Sequence, residues 1–300
     1  MSIIVKIRNR CSWVERKIRK YSNIIYQYFF GLEEKHSQTN ILPDKIFLKK
    51  LFKNKMGEEL DLKHPKTFNE KLQWLKLYDR KPEYTKMVDK YLVKDYVAKI
   101  IGTEVIIPTL GVWDRFDDID FDALPERFVL KCTHDSGGVY VCKNKGEFDV
   151  EKAKEFFDSR LSVNYYKYTR EWPYKNIKPR IIAEEFIDSG LDAGLIDYKF
   201  FCFNNEPKLL YISVGLDHHP TAMISFYDLD GNEMPFHRSD YKSFSNAVLP
   251  NNFDEIKMLT NRLAQNINCP FVRIDMYAVG NKVYFSEITF TPCADRKSVV

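Results

Sequence analysis

The chain has 300 residues, room for about two domains. Its 44% hydrophobic and 29% charged residues are the balance of a soluble globular protein with a sizeable core. A net charge of +4 is too small to mark a nucleic-acid binder, and no apolar run reaches the roughly 18–20 residues of a membrane span. Ile3-Ile4-Val5 is too short for a signal-peptide core. The six cysteines are scattered without a Cys-x-x-Cys pair, which argues against a disulfide framework or a zinc site and for a reducing cytosol. Cys132 and Cys202 alternate with apolar neighbours as small buried hydrophobes.

Residues 1–65 read as a helical and loop-like region. Its first 20 residues hold Lys6, Arg8, Arg10, Arg16, Lys17, Arg19 and Lys20 against Glu15 alone. That is the composition of a solvated helix, or of a peripheral contact with an anionic membrane at its inner face. Thr67 and Glu70 have the capping-box spacing that opens a helix through Leu72, Leu75 and Leu77. The stripe Met87, Tyr91, Val93, Tyr96, Val97, Ile100 predicts one helix over residues 84–101, stopped by Gly102. Val105-Ile106-Ile107-Pro108 predicts a short strand. Strand-like runs at 128–132 and 139–142 flank the loop Thr133-His134-Asp135-Ser136-Gly137-Gly138. Next come a helix near 150–161, an aromatic, lysine-rich stretch over 165–178, and strands over 180–187, 197–203 and 208–214, the last two joined by a turn at Asn204-Asn205-Glu206-Pro207. A helix over 254–267 and a hairpin of 271–277 with 283–289 close the chain. The fold class is α+β, helical at first and then mostly antiparallel.

Three segments carry candidate chemistry. Lys131 ends a strand as a point charge suited to a phosphate. Ser136, Gly137 and Gly138 after it let backbone amides turn toward phosphate oxygens, although the segment lacks the Gly-Lys-Ser/Thr of a Walker loop. In the terminal hairpin Arg273 and Asp275 share one strand face, and Glu287 and Thr289 share one face of the partner strand. A three-residue loop, Val279-Gly280-Asn281, sets Arg273 opposite Glu287 and makes Asp275 and Glu287 diagonal neighbours, suited to magnesium. A two-residue loop, Gly280-Asn281, puts the two carboxylates on opposite faces. The third segment is the strand Ile181-Ile182-Ala183-Glu184-Glu185-Phe186-Ile187, which ends in two acids. Asp228-Leu229-Asp230 before Gly231-Asn232 has the form of a β-turn and also of a metal-holding DxD. Asp217-His218-His219-Pro220 reads as a loop, without the further ligands of a closed metal site.

Five segments occur in one order between about Thr67 and Pro292: F-N-E-K-L-Q-W-L-K, K-C-T-H-D-S-G-G, E-W-P-Y-K-N-I-K-P-R-I-I-A-E, D-Y-K-F-F-C-F-N, and R-I-D-M-Y followed by Y-F-S-E-I-T-F-T-P. Together they resemble the ATP-grasp superfamily, and within it the TupA-like branch associated with teichuronopeptide and capsular polysaccharide. The resemblance implies two mostly antiparallel α+β subdomains clasping a nucleotide: a small one over 126–190 and a large one over 191–294, preceded by an N-terminal part over 66–125. It implies ATP and Mg²⁺ as cofactors. Lys90, after Asp89, and Lys131 would reach phosphates under the flexible loop Ser136-Gly137-Gly138. Glu184, Glu185, Phe186 and Ile187 would be the adenine hinge and Asp197 the ribose acid. Arg273 would face the transferred phosphoryl group. Asp275 and Glu287 would hold magnesium, with Thr289 where the family usually has Asn.

The activity so implied joins a carboxylate, activated as an acyl phosphate, to an amine or similar nucleophile on a small molecule or polymer precursor. Two other readings stand beside it: a capsular glycosyltransferase using Asp228 and Asp230, and an inactive ATP-binding module. After Thr291-Pro292 the family continues with a Gly-rich segment. Here Asp295-Arg296-Lys297-Ser298-Val299-Val300 reads as a translated sequencing adapter at the end of a gene fragment.

Overall fold

A computed structural model describes residues 42–191, 194–215, 222–245, 247 and 249–292. The basic segment 1–20, Asp217-His218-His219-Pro220 and the tail 295–300 lie outside the described residues. The chain divides into units 1–47 and 48–300, with helix α1 (Asp44–Met56) running across residue 47. The second unit holds both sheets.

Helix α2 (Phe68–Tyr78) opens on the expected capping box. The Glu70 amide donates to Thr67 Oγ1 at 3.2 Å, and Glu70 Oε2 accepts from the Thr67 amide at 2.9 Å. The single helix expected over 84–101 is two, α3 (Glu83–Val88) and α4 (Leu92–Ile101). Asp89 breaks it. Its backbone is extended, and its carboxylate accepts from the amides of Tyr91 at 2.9 Å and Leu92 at 3.1 Å, offering the chain an alternative to the helix ladder. Gly102, at φ +101°, ends α4 as predicted. The strand expected at 105–108 is a turn, and β1 (Thr109–Trp113) follows it. Pro108 has no amide to give a ladder, and the Val105 carbonyl instead accepts from the Phe285 amide at 2.8 Å.

The first sheet comprises β1, β2 (Phe128–Cys132), β3 (Val139–Cys142) and β4 (Ile181–Glu185), in the order β1-β4-β2-β3 with antiparallel pairs. Helix α5 (Val150–Leu161) lays Ala153 and Phe157 on Phe128, Leu130, Cys132 and Ile181. A short helix, α6 (Tyr166–Thr169), leads from it toward β4. The second sheet comprises β5 (Asp197–Phe203), β6 (Glu206–Val214), β7 (Met223–Asp228), β8 (Phe271–Val279) and β9 (Lys282–Thr289), in the order β7-β6-β5-β8-β9. Asn204 and Asn205, at φ +49° and +69°, make a two-residue turn between β5 and β6, the conformation a tight hairpin needs. Helix α7 (Phe253–Ile267) covers one face of this sheet through Ile256, Leu263 and Ala264, against Phe200, Leu210, Ile274 and Met276. Strand β7 escapes the sequence pattern because Ile224, Ser225, Phe226 and Tyr227 are all buried, which removes the alternation of a half-exposed strand. Cys132, Cys142, Cys202 and Cys269 are buried free thiols. Among the described residues no helix is long and apolar enough to cross a membrane.

The β8–β9 hairpin corrects both registers considered from the sequence. Val279 pairs with Lys282, so the loop is the two residues Gly280-Asn281. A β-bulge at Ser286 then shifts the ladder by one, and Asp275 pairs directly with Glu287 while Arg273 pairs with Thr289. The loop alone would have separated the carboxylates; the bulge returns them to one face.

Phe157 is fully buried between α5 and the first sheet. Phe157→Ala should cost about 3–5 kcal/mol in urea denaturation, the range for emptying an aromatic core position. A loss below about 1 kcal/mol would contradict this packing.

Candidate functional site

The register of the second sheet sets Glu287, Asp275, Lys199, Tyr211 and Phe226 side by side across five strands. The next row carries Thr289, Arg273, Phe201 and Leu209, and the row on the other side Tyr277, Asp197 and Ser213. This face is opposite the one covered by α7. Asp275 is wholly buried and held from two directions. Arg273 grips it through Nε at 2.6 Å and Nη2 at 2.7 Å, and Lys199 Nζ reaches its Oδ2 at 2.6 Å. Arg273 Nη2 also donates to Glu287 Oε1 at 2.7 Å and Thr289 Oγ1 at 3.2 Å, and Nη1 to the Tyr211 hydroxyl at 3.4 Å. Lys199 continues to Asp197 Oδ1 at 3.0 Å.

Burial pushes the Asp275 carboxyl up to about 6, against the pull of Arg273 and Lys199, and the charge of Glu287 adds to the rise. Burial acts on Glu287 in the same sense, yet Arg273, Lys199 and Lys90 draw it down to about 2. The two carboxyls sit opposite one another on paired strands.

Lys131 of the first sheet and Lys90 lie within electrostatic reach of this face. Lys131, on β2, pairs with Glu184 Oε2 at 2.6 Å, and Lys94, on α4, with Glu184 Oε1 at 2.5 Å. Burial alone would lower Lys131; Glu184, with Tyr277 and Glu287 of the second sheet, raises it instead. Lys90 lies in the break between α3 and α4, its amide on the Thr133 carbonyl at 3.1 Å and its ammonium on the Asp135 carbonyl. In the loop after β2, Thr133, His134, Asp135 and Gly138 are buried, while Ser136 and Gly137 are exposed at its tip. Gly137 has φ +83°. A Cβ on Gly138 would come within 2.3 Å of Asp135 Oδ1 and 2.8 Å of the Cys132 Cβ, so no side chain fits there. Arg160, at the end of α5, ties the loop down through Asp135 Oδ2 at 2.5 Å.

At the end of β4 the carboxylate of Glu184 points inward to its two lysines, and the Glu185 amide donates to the Pro108 carbonyl at 3.1 Å. Phe186 and Ile187 lie past the last paired residue, with the Arg127 guanidinium 5.1 Å over the Phe186 ring.

Among the described residues no group of three His, Cys, Asp or Glu side chains could hold a metal ion unaided. Magnesium does not require one, because it takes one or two carboxylates and completes its shell with water and substrate phosphates. Asp275 and Glu287 stand on paired strands with Thr289 in the next row, but both Asp275 oxygens are taken by Arg273 and Lys199, so an ion arriving with a phosphate would have to displace them. Asp228 and Asp230 do not form such a site. The Asp228 carboxylate accepts from the amides of Asp230 at 2.9 Å and Asn232 at 2.8 Å, and from Asn232 Nδ2 at 2.9 Å, as the clasp of a turn.

Two members of the ionic set were not singled out in the sequence. Lys199 shares strand parity with Asp197, and Lys94 stands three and seven residues before Val97 and Ile101 on the buried stripe of α4. Both spacings are visible in the sequence to a search for charges on apolar faces.

Arg273→Ala would strip the buried Asp275 of both guanidinium bonds. It should destabilise the nucleotide-free protein by about 3–5 kcal/mol in chemical denaturation. Adding Asp275→Ala should recover part of that loss, since the residues share one network. Strict additivity of the two substitutions would contradict the pairing.

Compared with known proteins, residues 70–299 match the family described as TupA-like ATP-grasp. Among solved structures the chain is similar to D-alanine–D-alanine ligase from Bacillus anthracis complexed with ATP (13% identity, 68% of this chain and 53% of that one, TM-score 0.38). It is also similar to D-alanine–D-alanine ligase from Helicobacter pylori (20% identity, 75% and 62%, TM-score 0.40). A third is the ATP-grasp ligase PsnB complexed with a phosphomimetic variant of its minimal precursor, Mg and ADP (9% identity, 73% and 56%, TM-score 0.40). The chain thus spans 53–62% of the length of these ligases. No curated protein matches it. The family match covers well over half of the chain and agrees with the order of motifs read from the sequence: the chain belongs to the TupA-like ATP-grasp family.

Proposed function

We propose that the protein is a Mg-ATP-dependent ligase that activates a carboxylate as an acyl phosphate and passes it to an amine or similar nucleophile, in the assembly of a cell-surface polysaccharide or teichuronopeptide. One observation carries this reading: buried Asp275 and half-buried Glu287, paired across two strands and joined by Arg273, lie within electrostatic reach of Lys131 on the other sheet. In it, Lys90, Lys131 and the amides of Ser136, Gly137 and Gly138 bind the phosphates. The segment Glu184, Glu185, Phe186 and Ile187 holds adenine, largely through its backbone, and Asp197 meets the ribose. Asp275 and Glu287, assisted by Thr289, would hold magnesium, which when bound would supply positive charge to the phosphates. An oxygen of the substrate carboxylate bonds to the γ-phosphorus as the bond to ADP breaks. The nucleophile then attacks the acyl carbon, and phosphate leaves. Arg273 and Lys199, on the same sheet face as these carboxylates, stabilise the charge that grows on the transferred phosphoryl group. Such a reaction draws on cytoplasmic ATP, and residues 1–20 could bring the enzyme to the inner face of the membrane.

The test is ADP release on incubation with candidate uronic and amino acids. Release that requires both a carboxylate and an amine supports the ligase; UDP released from a nucleotide sugar without ADP would overturn it. The glycosyltransferase reading is separated by two substitutions. Glu287→Gln should abolish turnover while Asp228→Asn spares it, and the opposite result would favour glycosyl transfer. ATP binding with no turnover under any acceptor would favour an inactive binding module.

Lys131→Ala should weaken Mg-ATP binding by about 1.5–3 kcal/mol, the scale of a hydrogen bond to a charged group and roughly 10- to 150-fold in Kd. An unchanged affinity would make the loop after β2 an ordinary hairpin.

A further inference from the structure

Lys94 and Lys131 share the Glu184 carboxylate, one on each oxygen, but they are not equivalent. The three N–H groups of Lys94 meet Glu184 Oε1 at 2.5 Å, the Ile107 carbonyl at 2.7 Å and Thr109 Oγ1 at 2.9 Å, so every donor of its ammonium is used by the protein. Lys131 has one such partner among the described residues, Glu184 at 2.6 Å, and it lies on the side toward Tyr277 and Glu287 of the second sheet. The side chain of Glu184 is only 6% exposed. A buried carboxylate deprived of its cations is strongly unfavourable. If Glu184 had Lys131 alone, moving that lysine to a phosphate would strand the charge.

We propose that Lys94 is a positioning residue whose fixed ammonium keeps Glu184 neutralised, so that Lys131 can leave the carboxylate and bind a nucleotide phosphate. The proposal rests on the nucleotide reading of the site. It assigns to α4, outside both sheets, control over how readily a β2 lysine reaches its ligand. Lys94 touches no substrate. Its effect passes through Glu184, and this separates it from a phosphate-binding lysine, whose loss would be felt whether or not Glu184 carried a charge.

The experiment measures the Kd of Mg-ATP by calorimetry for Lys94→Gln in the wild-type and the Glu184→Gln backgrounds, with thermal unfolding of each variant. Gln keeps an amide with two N–H donors on a shorter side chain near Ile107 and Thr109 and removes the charge. Lys94→Gln should weaken binding tenfold or more in the wild-type background and less than twofold where residue 184 is Gln. An equal loss in both backgrounds would show direct phosphate contact, and no loss in either would show a purely structural lysine; each overturns the proposal. If Lys94→Gln alone does not fold, Lys94→Arg decides: binding within threefold of wild type supports the role of charge, and a tenfold loss contradicts it. Lys131→Ala, measured alongside, separates nucleotide binding by the site from the role of Lys94. If it leaves the Kd unchanged, the nucleotide reading fails. If it weakens binding while Lys94→Gln does not, only the present inference fails.

Discussion

Charge buried on a sheet face must be paired, and the pairing of Asp275 constrains more of this structure than any other contact. The residue is fully buried. An isolated carboxylate in that position would be too costly to keep ionised. Arg273 from its own strand and Lys199 from the adjacent strand meet it within 2.7 Å. Those two cations hold Asp197, Glu287, Thr289 and Tyr211 in turn. On this face three carboxylates therefore stand against two cations; at Glu184 on the other sheet, two cations stand against one carboxylate. The excesses are opposite in sign and face one another, which is the polarity a magnesium–polyphosphate ligand would bridge.

Positioning of this set depends on backbone details that cost little and decide much. With the two-residue loop Gly280-Asn281 and no bulge, Asp275 and Glu287 would point to opposite sides of the hairpin. The bulge at Ser286 changes the parity of the last part of β9 and leaves the earlier part, with Val283 and Phe285 in the core, unaltered. Asp89 acts in the same way on the helical side. By ending α3 and capping α4, and by accepting from Arg180 at 3.0 Å, it leaves Lys90 in a break that touches the loop after β2.

Much of this architecture could be read from the residues. The capping box at Thr67, the helices α5 and α7, β5 and the two hairpin runs all stand where pattern and turn chemistry place them, because local propensity and tertiary burial agree there. The order of motifs carried the family. What could not be read has identifiable causes. The apolar stripe over 84–101 is continuous, so only the side-chain chemistry of Asp89 marks the break. Strand β7 is buried on both faces and therefore has no alternation. The bulge depends on pairing, which a single strand does not reveal. Lys94 and Lys199 lie on apolar faces, and the carboxylates that make their burial possible, Glu184 and Asp275, lie 90 and 76 residues away along the chain. The three-residue loop expected from the sequence is two residues, and the bulge at Ser286, not the loop length, returns the carboxylates to one face.

The position of a bound nucleotide is the most direct test. A crystal structure with Mg²⁺ and a non-hydrolysable ATP analogue should show the triphosphate between the two sheets, with magnesium on Asp275 and Glu287 and with Lys131 and the Ser136-Gly137-Gly138 loop on the phosphates. A nucleotide bound elsewhere, with Asp275 and Glu287 still closed on Arg273 and free of metal, would contradict it.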